Sequence, residues 1–126
     1  MLLEAFVSKG WGGVKTFMDN FFKQLALELN VPIIQIESGE FAWKIKDANV
    51  VIDYIEKKHC VILGGDILNP KKEYTYDNWF YNCASDLSLE ENSKISVIKA
   101  IEYLSTYRLK NENDHYVVFV LEQNLS

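Results

Sequence analysis

The apolar positions along the chain change period several times, and each change marks an element. Val14, Phe17, Met18, Phe21, Phe22, Leu25, Ala26 and Leu29 recur at helical spacing, with Lys15, Asp19, Lys23 and Glu28 between them. This pattern predicts an amphipathic helix over 14–29. Gly10-Trp11-Gly12-Gly13 breaks any regular element before it, and Pro32 ends it, because the residue before a proline avoids the helical region. Pro32 to Glu37 alternates weakly, as a short strand does, and Ser38-Gly39-Glu40 reads as a turn. Ala48, Val51, Ile52 and Ile55 fall on one face of a second helix over 46–58.

Cys60-Val61-Ile62-Leu63 is a short apolar run rich in β-branched residues and reads as a buried strand. Gly64-Gly65 interrupts it with a bulge, a sharp bend or a close approach of another backbone. Asp66-Ile67-Leu68 resumes extension, Asn69-Pro70-Lys71-Lys72 turns, and Glu73 to Tyr81 returns. Residues 60–81 are therefore a predicted β-hairpin. Ser88-Leu89-Glu90-Glu91 has the spacing of a capping box and opens a helix over 89–108. That helix carries Ile95, Val97, Ile98, Ile101, Leu104 and Tyr107 as its expected core positions. After a polar loop at 110–114, residues 115–122 (HYVVFVLE) form a strand apolar on both faces, as a central strand is. The expected fold is α+β: a small, mainly antiparallel sheet packed with about three helices in one domain over 1–126. Strands and helices do not alternate as βαβ units, which argues against a doubly wound fold.

Composition narrows the function. The chain has 126 residues, 48% hydrophobic and with net charge −5, which suits one folded domain. Residues up to His59 hold eight acids and seven bases, whereas those from Cys60 onward hold ten acids and six bases. No base lies between Lys72 and Lys94, a gap containing Glu73, Asp77, Asp86, Glu90 and Glu91. Such a face repels nucleic acid and attracts a basic partner. The N-terminal run Met1–Lys9 lacks the basic start of a signal peptide, and no apolar run has the length of a membrane span, so the expected location is the cytoplasm. Cys60 reads as a core thiol, and Cys60 and Cys83 are expected to be free.

Catalytic signatures are missing. Gly64-Gly65-Asp66 lacks both the lysine of a phosphate loop and the third glycine of a dinucleotide site. There is no GxSxG, no paired zinc-ligand motif, and no motif that calls for a cofactor. Asp66 and Asp77, facing each other across the hairpin, are the best acidic pair for a divalent metal or acid–base chemistry. The blander account of Asp66 is that it satisfies the backbone of the bend. Strict alternation puts Tyr74, Tyr76, Asn78 and Phe80 on one face of the returning strand and Thr75, Asp77, Trp79 and Tyr81 on the other. Tyrosine and tryptophan beside carboxylates are common in protein-binding surfaces.

The block Leu63-Gly64-Gly65-Asp66-Ile67-Leu68 followed by Tyr74-Thr75-Tyr76-Asp77-Asn78-Trp79-Phe80-Tyr81 resembles the immunity protein 40 family of bacterial polymorphic toxin systems. Ser38-Gly39-Glu40-Phe41-Ala42-Trp43, leading into a helix, is similar too, and the resemblance spans about 36–121. It implies a cytoplasmic antidote that binds and blocks a cognate toxin, with no catalytic residues and no cofactor. The acidic gap would suit a basic toxin, such as a nuclease. The expected contact residues are Tyr74, Tyr76, Asp77, Trp79 and Tyr81, with Asp66 and Asp86 steering. Two other readings stay open: a metal-dependent hydrolase using Asp66 and Asp77, and a module that self-associates through the aromatic strand.

Overall fold

The computed structural model describes residues 11–110 and 114–122. The expectations for Met1–Lys9 and for the centre of the 110–114 loop lie outside the described residues. In chain order the elements are helix α1 (Trp11–Leu29), strands β1 (Ile34–Gln35) and β2 (Phe41–Lys44), and a 3-10 turn (Ile45–Asp47) running into helix α2 (Ala48–Lys57). Strands β3 (Val61–Leu68) and β4 (Tyr74–Phe80), helix α3 (Leu89–Leu109) and strand β5 (Tyr116–Glu122) complete the order. The five strands form one sheet in the order β1-β2-β5-β3-β4, with every neighbouring pair antiparallel. The α+β class is as expected, and β5 lies at the centre, as its two apolar faces predict.

One face of the sheet packs against the helices. Ile62, Ile67, Trp79, Val117, Phe119 and Leu121 meet Val97, Ala100, Leu104 and Tyr107 of α3, Ile52 and Ile55 of α2, and Met18, Phe22 and Leu25 of α1 in one core. A smaller cluster of Ala42, Leu68 and Val118 lies on the other face, with Ile34, Ile36 and Tyr116 packed against it.

Three expectations are corrected. Helix α1 begins at Trp11 and runs through Gly12-Gly13. In a first turn the N–H groups have no intrahelical acceptor in any case, so glycines there weaken little beyond backbone entropy. Strand β2 is a new element: Phe41, Ala42 and Trp43 are all buried, because consecutive residues feed opposite faces of a covered sheet. Helix α3 does not bury Ile95, Ile98 and Ile101, which are exposed. It buries Val97, Leu104 and Tyr107 as expected, and with them Asn92, Ser93, Ser96 and Ala100.

The small polar residues on that face have partners. Ser93 Oγ donates to the Cys60 carbonyl at 2.7 Å, and Ser96 Oγ accepts from the Ile62 amide at 3.0 Å. They serve the backbone of β3 beside a register shift between Ile62 and Gly64, where Leu63 is an extra residue against β5. The capping box is present: Glu91 N–H donates to Ser88 Oγ at 3.1 Å, and Ser88 N–H donates to Glu91 Oε1 at 3.1 Å.

The two segments that carry the family-like sequence lock together. Gly65 sits between Trp79 on β4 and Phe119 on β5. The Trp79 indole lies over it, edge-on to Phe119 at 6.2 Å and stacked on Tyr103 of α3 at 4.9 Å. A Cβ on Gly65 would lie 2.5 Å from Trp79 Cη2 and 2.7 Å from the Val118 carbonyl oxygen. Glycine is required here by close approach, the last of the alternatives that the sequence left open.

Candidate functional site

Strand β4 is an edge of the sheet, so one side of its backbone is unpaired. Its pairing with β3 is interrupted in the middle. Asp66 pairs with Asn78 and Leu68 pairs with Tyr74, so Thr75, Tyr76 and Asp77 together face the single residue Ile67. The bulge adds two residues, so the two-face assignment holds on either side of it: Tyr74, Tyr76, Asn78 and Phe80 are exposed, while Trp79 and Tyr81 are buried.

The bulge is tied at several points. Thr75 Oγ1 donates to the Ile67 carbonyl at 3.0 Å and accepts from the Asp77 amide at 3.2 Å. Asn78 Nδ2 donates to the Tyr76 carbonyl at 3.3 Å. From the helix layer, the Tyr107 hydroxyl donates to Asp77 Oδ2. Burial and then the Asp77 carboxylate push the Tyr107 hydroxyl pKa well up, so it remains a donor. At the centre, Tyr76 has φ +69° and is 89% exposed.

Carboxylates surround this ridge. The Tyr74 hydroxyl donates to Glu40 Oε1 at 2.7 Å, and Ser38 Oγ donates to the same oxygen at 3.0 Å. That contact joins β4 to the β1–β2 turn, although β4 and β1 are opposite edges of the sheet. Burial and Glu40 raise the Tyr74 pKa to about 12. Asp66 is buried near Glu40, and burial first, then the Glu40 charge, raises its carboxyl pKa. No described residue gives the Asp66 carboxylate a hydrogen bond, so the expectation that it satisfies the bend does not hold within the described residues. Between the two turns lies an open groove of about 860 Å³, lined in part by Glu37, Ser38, Glu73, Tyr74 and Tyr76.

The seven residues expected to contact a partner separate into two groups. Tyr74 and Tyr76 are exposed along the groove, Asp77 is exposed on the side of Tyr107, and Asp86 is exposed in the following loop. Asp66, Trp79 and Tyr81 are buried. The Tyr81 hydroxyl donates to Asn92 Oδ1 at 2.5 Å, and Asn92 also accepts from the Ala84 amide at 2.8 Å, which folds the loop back on α3. Phe80, by contrast, is 57% exposed, with the Lys99 ammonium 5.7 Å from its ring centre. Sequence reasoning also missed Glu40 and Tyr107. The sequence marks Tyr107 only as a core position of α3 and Glu40 only as part of a turn, because each acts on β4 through a contact between elements distant in the chain.

Asp66 and Asp77 have different neighbours, although the charges of both act on Tyr103. Asp66 stands opposite Asn78 and senses Glu40, whereas Asp77 is bound by Tyr107. Among the described residues no group of three or more His, Cys, Asp or Glu side chains is placed to hold a metal ion. Cys60 and Cys83 are both free thiols. No described helix is long and apolar enough to cross a membrane.

No curated protein and no solved structure matches the chain. A family model does: the one described as Immunity protein 40 (Imm40) matches residues 29–121. That span begins in the last turn of α1, takes in both interlocked segments and the Tyr76 bulge, and ends in β5. The chain therefore belongs to the immunity protein 40 family.

Proposed function

We propose that this chain is the antidote of a bacterial polymorphic toxin system, which binds its cognate toxin domain in a tight complex and blocks it without catalysis. Family membership carries the reading, since an immunity protein implies a toxin partner. The surface of β4 supports it with a place to bind: an edge ridge of Tyr74, Tyr76 and Asp77, extended by Phe80, beside a groove with Glu37, Glu40 and Glu73 as well as Lys71 and Lys72, and followed by the exposed Asp86 loop. Aromatic side chains supply contact area at low entropic cost, and the carboxylates steer a basic partner in.

In this reading Trp79 and Tyr81 act from beneath, by fixing the ridge, and Asp66 contributes only its charge. The partner is a basic toxin domain, a nuclease being the type that fits the base-free segment from Glu73 to Ser93, and the antidote acts in the cytoplasm. Co-expression tests it. Cells that make the toxin domain encoded beside this gene should survive only when this chain is made as well. Equal killing with and without the chain would sink the proposal.

A further inference from the structure

Tyr76 stands apart from the other residues with left-handed backbone. Among the described residues, positive φ occurs outside glycine at Asn30, His59, Lys72 and Tyr76. Asn30, His59 and Lys72 lie just after helices α1 and α2 or in the β3–β4 turn, where a left-handed residue is commonplace. Tyr76 lies inside a strand, and its bulky aromatic side chain makes that conformation unfavourable. It gains nothing from burial, being 89% exposed.

A bulge on an edge strand can serve to block edge-to-edge aggregation. Glycine would do that with less strain, and lysine with less apolar surface. Instead the strand keeps a strained aromatic, and its conformation is set by four side-chain hydrogen bonds from Thr75, Asn78 and Tyr107. Strain held in place by its surroundings is characteristic of binding sites. A side chain fixed in advance also avoids the ordering penalty on association.

We infer that Tyr76 is a preformed plug that inserts into a concave, apolar pocket of the partner, whose rim is basic. The rim's charge follows from the carboxylates around Tyr76, where Glu37, Glu40, Glu73 and Asp77 outnumber Lys71 and Lys72 of the same groove. Because the bulge interrupts the ladder side of β4, the partner does not extend the sheet along the whole strand. Tyr107 is a positioning residue: it touches no partner and holds Asp77, the C-terminal foot of the bulge. This inference rests on the proposed toxin-binding function and names the contact at its centre.

Tyr76→Gly is the decisive variant. It removes the plug and relieves the strain, so the variant should unfold at the same or a higher urea concentration than the parent. Its affinity for the toxin domain encoded beside this gene, measured by biolayer interferometry, should fall at least about thirtyfold, the loss expected at a hot spot. Tyr76→Phe, which keeps the ring, should stay within about threefold of the parent. Asp77→Asn keeps an acceptor for Tyr107 but removes charge, so it should slow association and reduce its salt dependence while leaving dissociation nearly unchanged. Unchanged affinity in Tyr76→Gly would overturn the inference alone, as would a clear loss of stability. A parent chain that fails to bind the toxin domain would overturn the proposed function and this inference together.

Discussion

Replacing Gly65 with alanine tests the interlock between β3, β4 and β5 with one methyl group. The added carbon would stand 2.5 Å from Trp79 Cη2, 2.7 Å from Trp79 Cζ3 and 2.7 Å from the Val118 carbonyl oxygen. Each is closer than carbon or oxygen tolerates. Two of the three obstacles belong to an indole held between Tyr103 and Phe119. The third is backbone of the central strand, which cannot retreat without breaking its ladder with β3. Overpacking a tight core typically costs about 1–3 kcal/mol, and the rigidity of these neighbours puts Gly65→Ala at the upper end, near 3 kcal/mol. Urea unfolding followed by far-UV circular dichroism should show a lowered midpoint with an unchanged slope. In a Trp79→Leu background the indole is gone and only the Val118 contact remains. There the same substitution should cost clearly less, with a coupling of roughly 1 kcal/mol or more. A Gly65→Ala protein within about 0.5 kcal/mol of the parent would refute the close-approach account. An equal loss in both backgrounds would refute the part assigned to Trp79.

Other consequences concern single contacts. Ser88→Ala should destabilise the chain by about 1 kcal/mol by removing the cap of α3. Because the Ser88 backbone N–H and then its side chain hold the Glu91 pKa below its ordinary value of 4.5, the stabilisation from Glu91 is present above that pH and lost as pH falls through the lowered value. Asp66 runs the other way: its pKa is raised by burial and by Glu40, so ionisation at neutral pH opposes folding. Asp66→Asn should therefore raise stability at pH 7, and the gain should vanish below about the ordinary value of 3.8, measured by thermal unfolding against pH. The Cys83 thiol, 2.9 Å from Glu122 Oε2, has its pKa pushed up to about 12 by burial and by that carboxylate. Beside that carboxylate the thiolate is disfavoured, so iodoacetamide should label Cys83 more slowly than an ordinary exposed cysteine, and faster after Glu122→Gln.

Much of this fold is legible in the chain because local signals and burial agree. The hairpin over 60–81, the Ser88–Glu91 capping box and the central strand over 115–122 each carry a period or a spacing with one physical meaning. Strand β2 is hidden because Phe41-Ala42-Trp43 is buried on both faces and passes into the 3-10 turn with no intervening loop, leaving no alternation to read. Helix α3 misleads because apolar residues line two of its faces. Packing favours the one with Ser93, Ser96 and Ala100, whose small side chains let the helix close on β3 and serve its backbone. The candidate surface is half legible. Its aromatic and acidic composition stands in the sequence, and so does the family. The division into exposed Tyr74, Tyr76 and Phe80 and buried Trp79 and Tyr81 follows the alternation, because the bulge adds two residues and so keeps the parity; the bulge itself is not legible in the sequence. The contacts from Glu40 and Tyr107 depend on the tertiary fold alone.

The central claim is that this chain silences a toxin by occupying it. Titrating the purified toxin domain encoded beside this gene with the purified chain, while following the toxin's own activity, tests it most directly. Activity should fall linearly and reach zero near one equivalent, as a tight stoichiometric complex requires. Full activity in the presence of several equivalents would contradict the account.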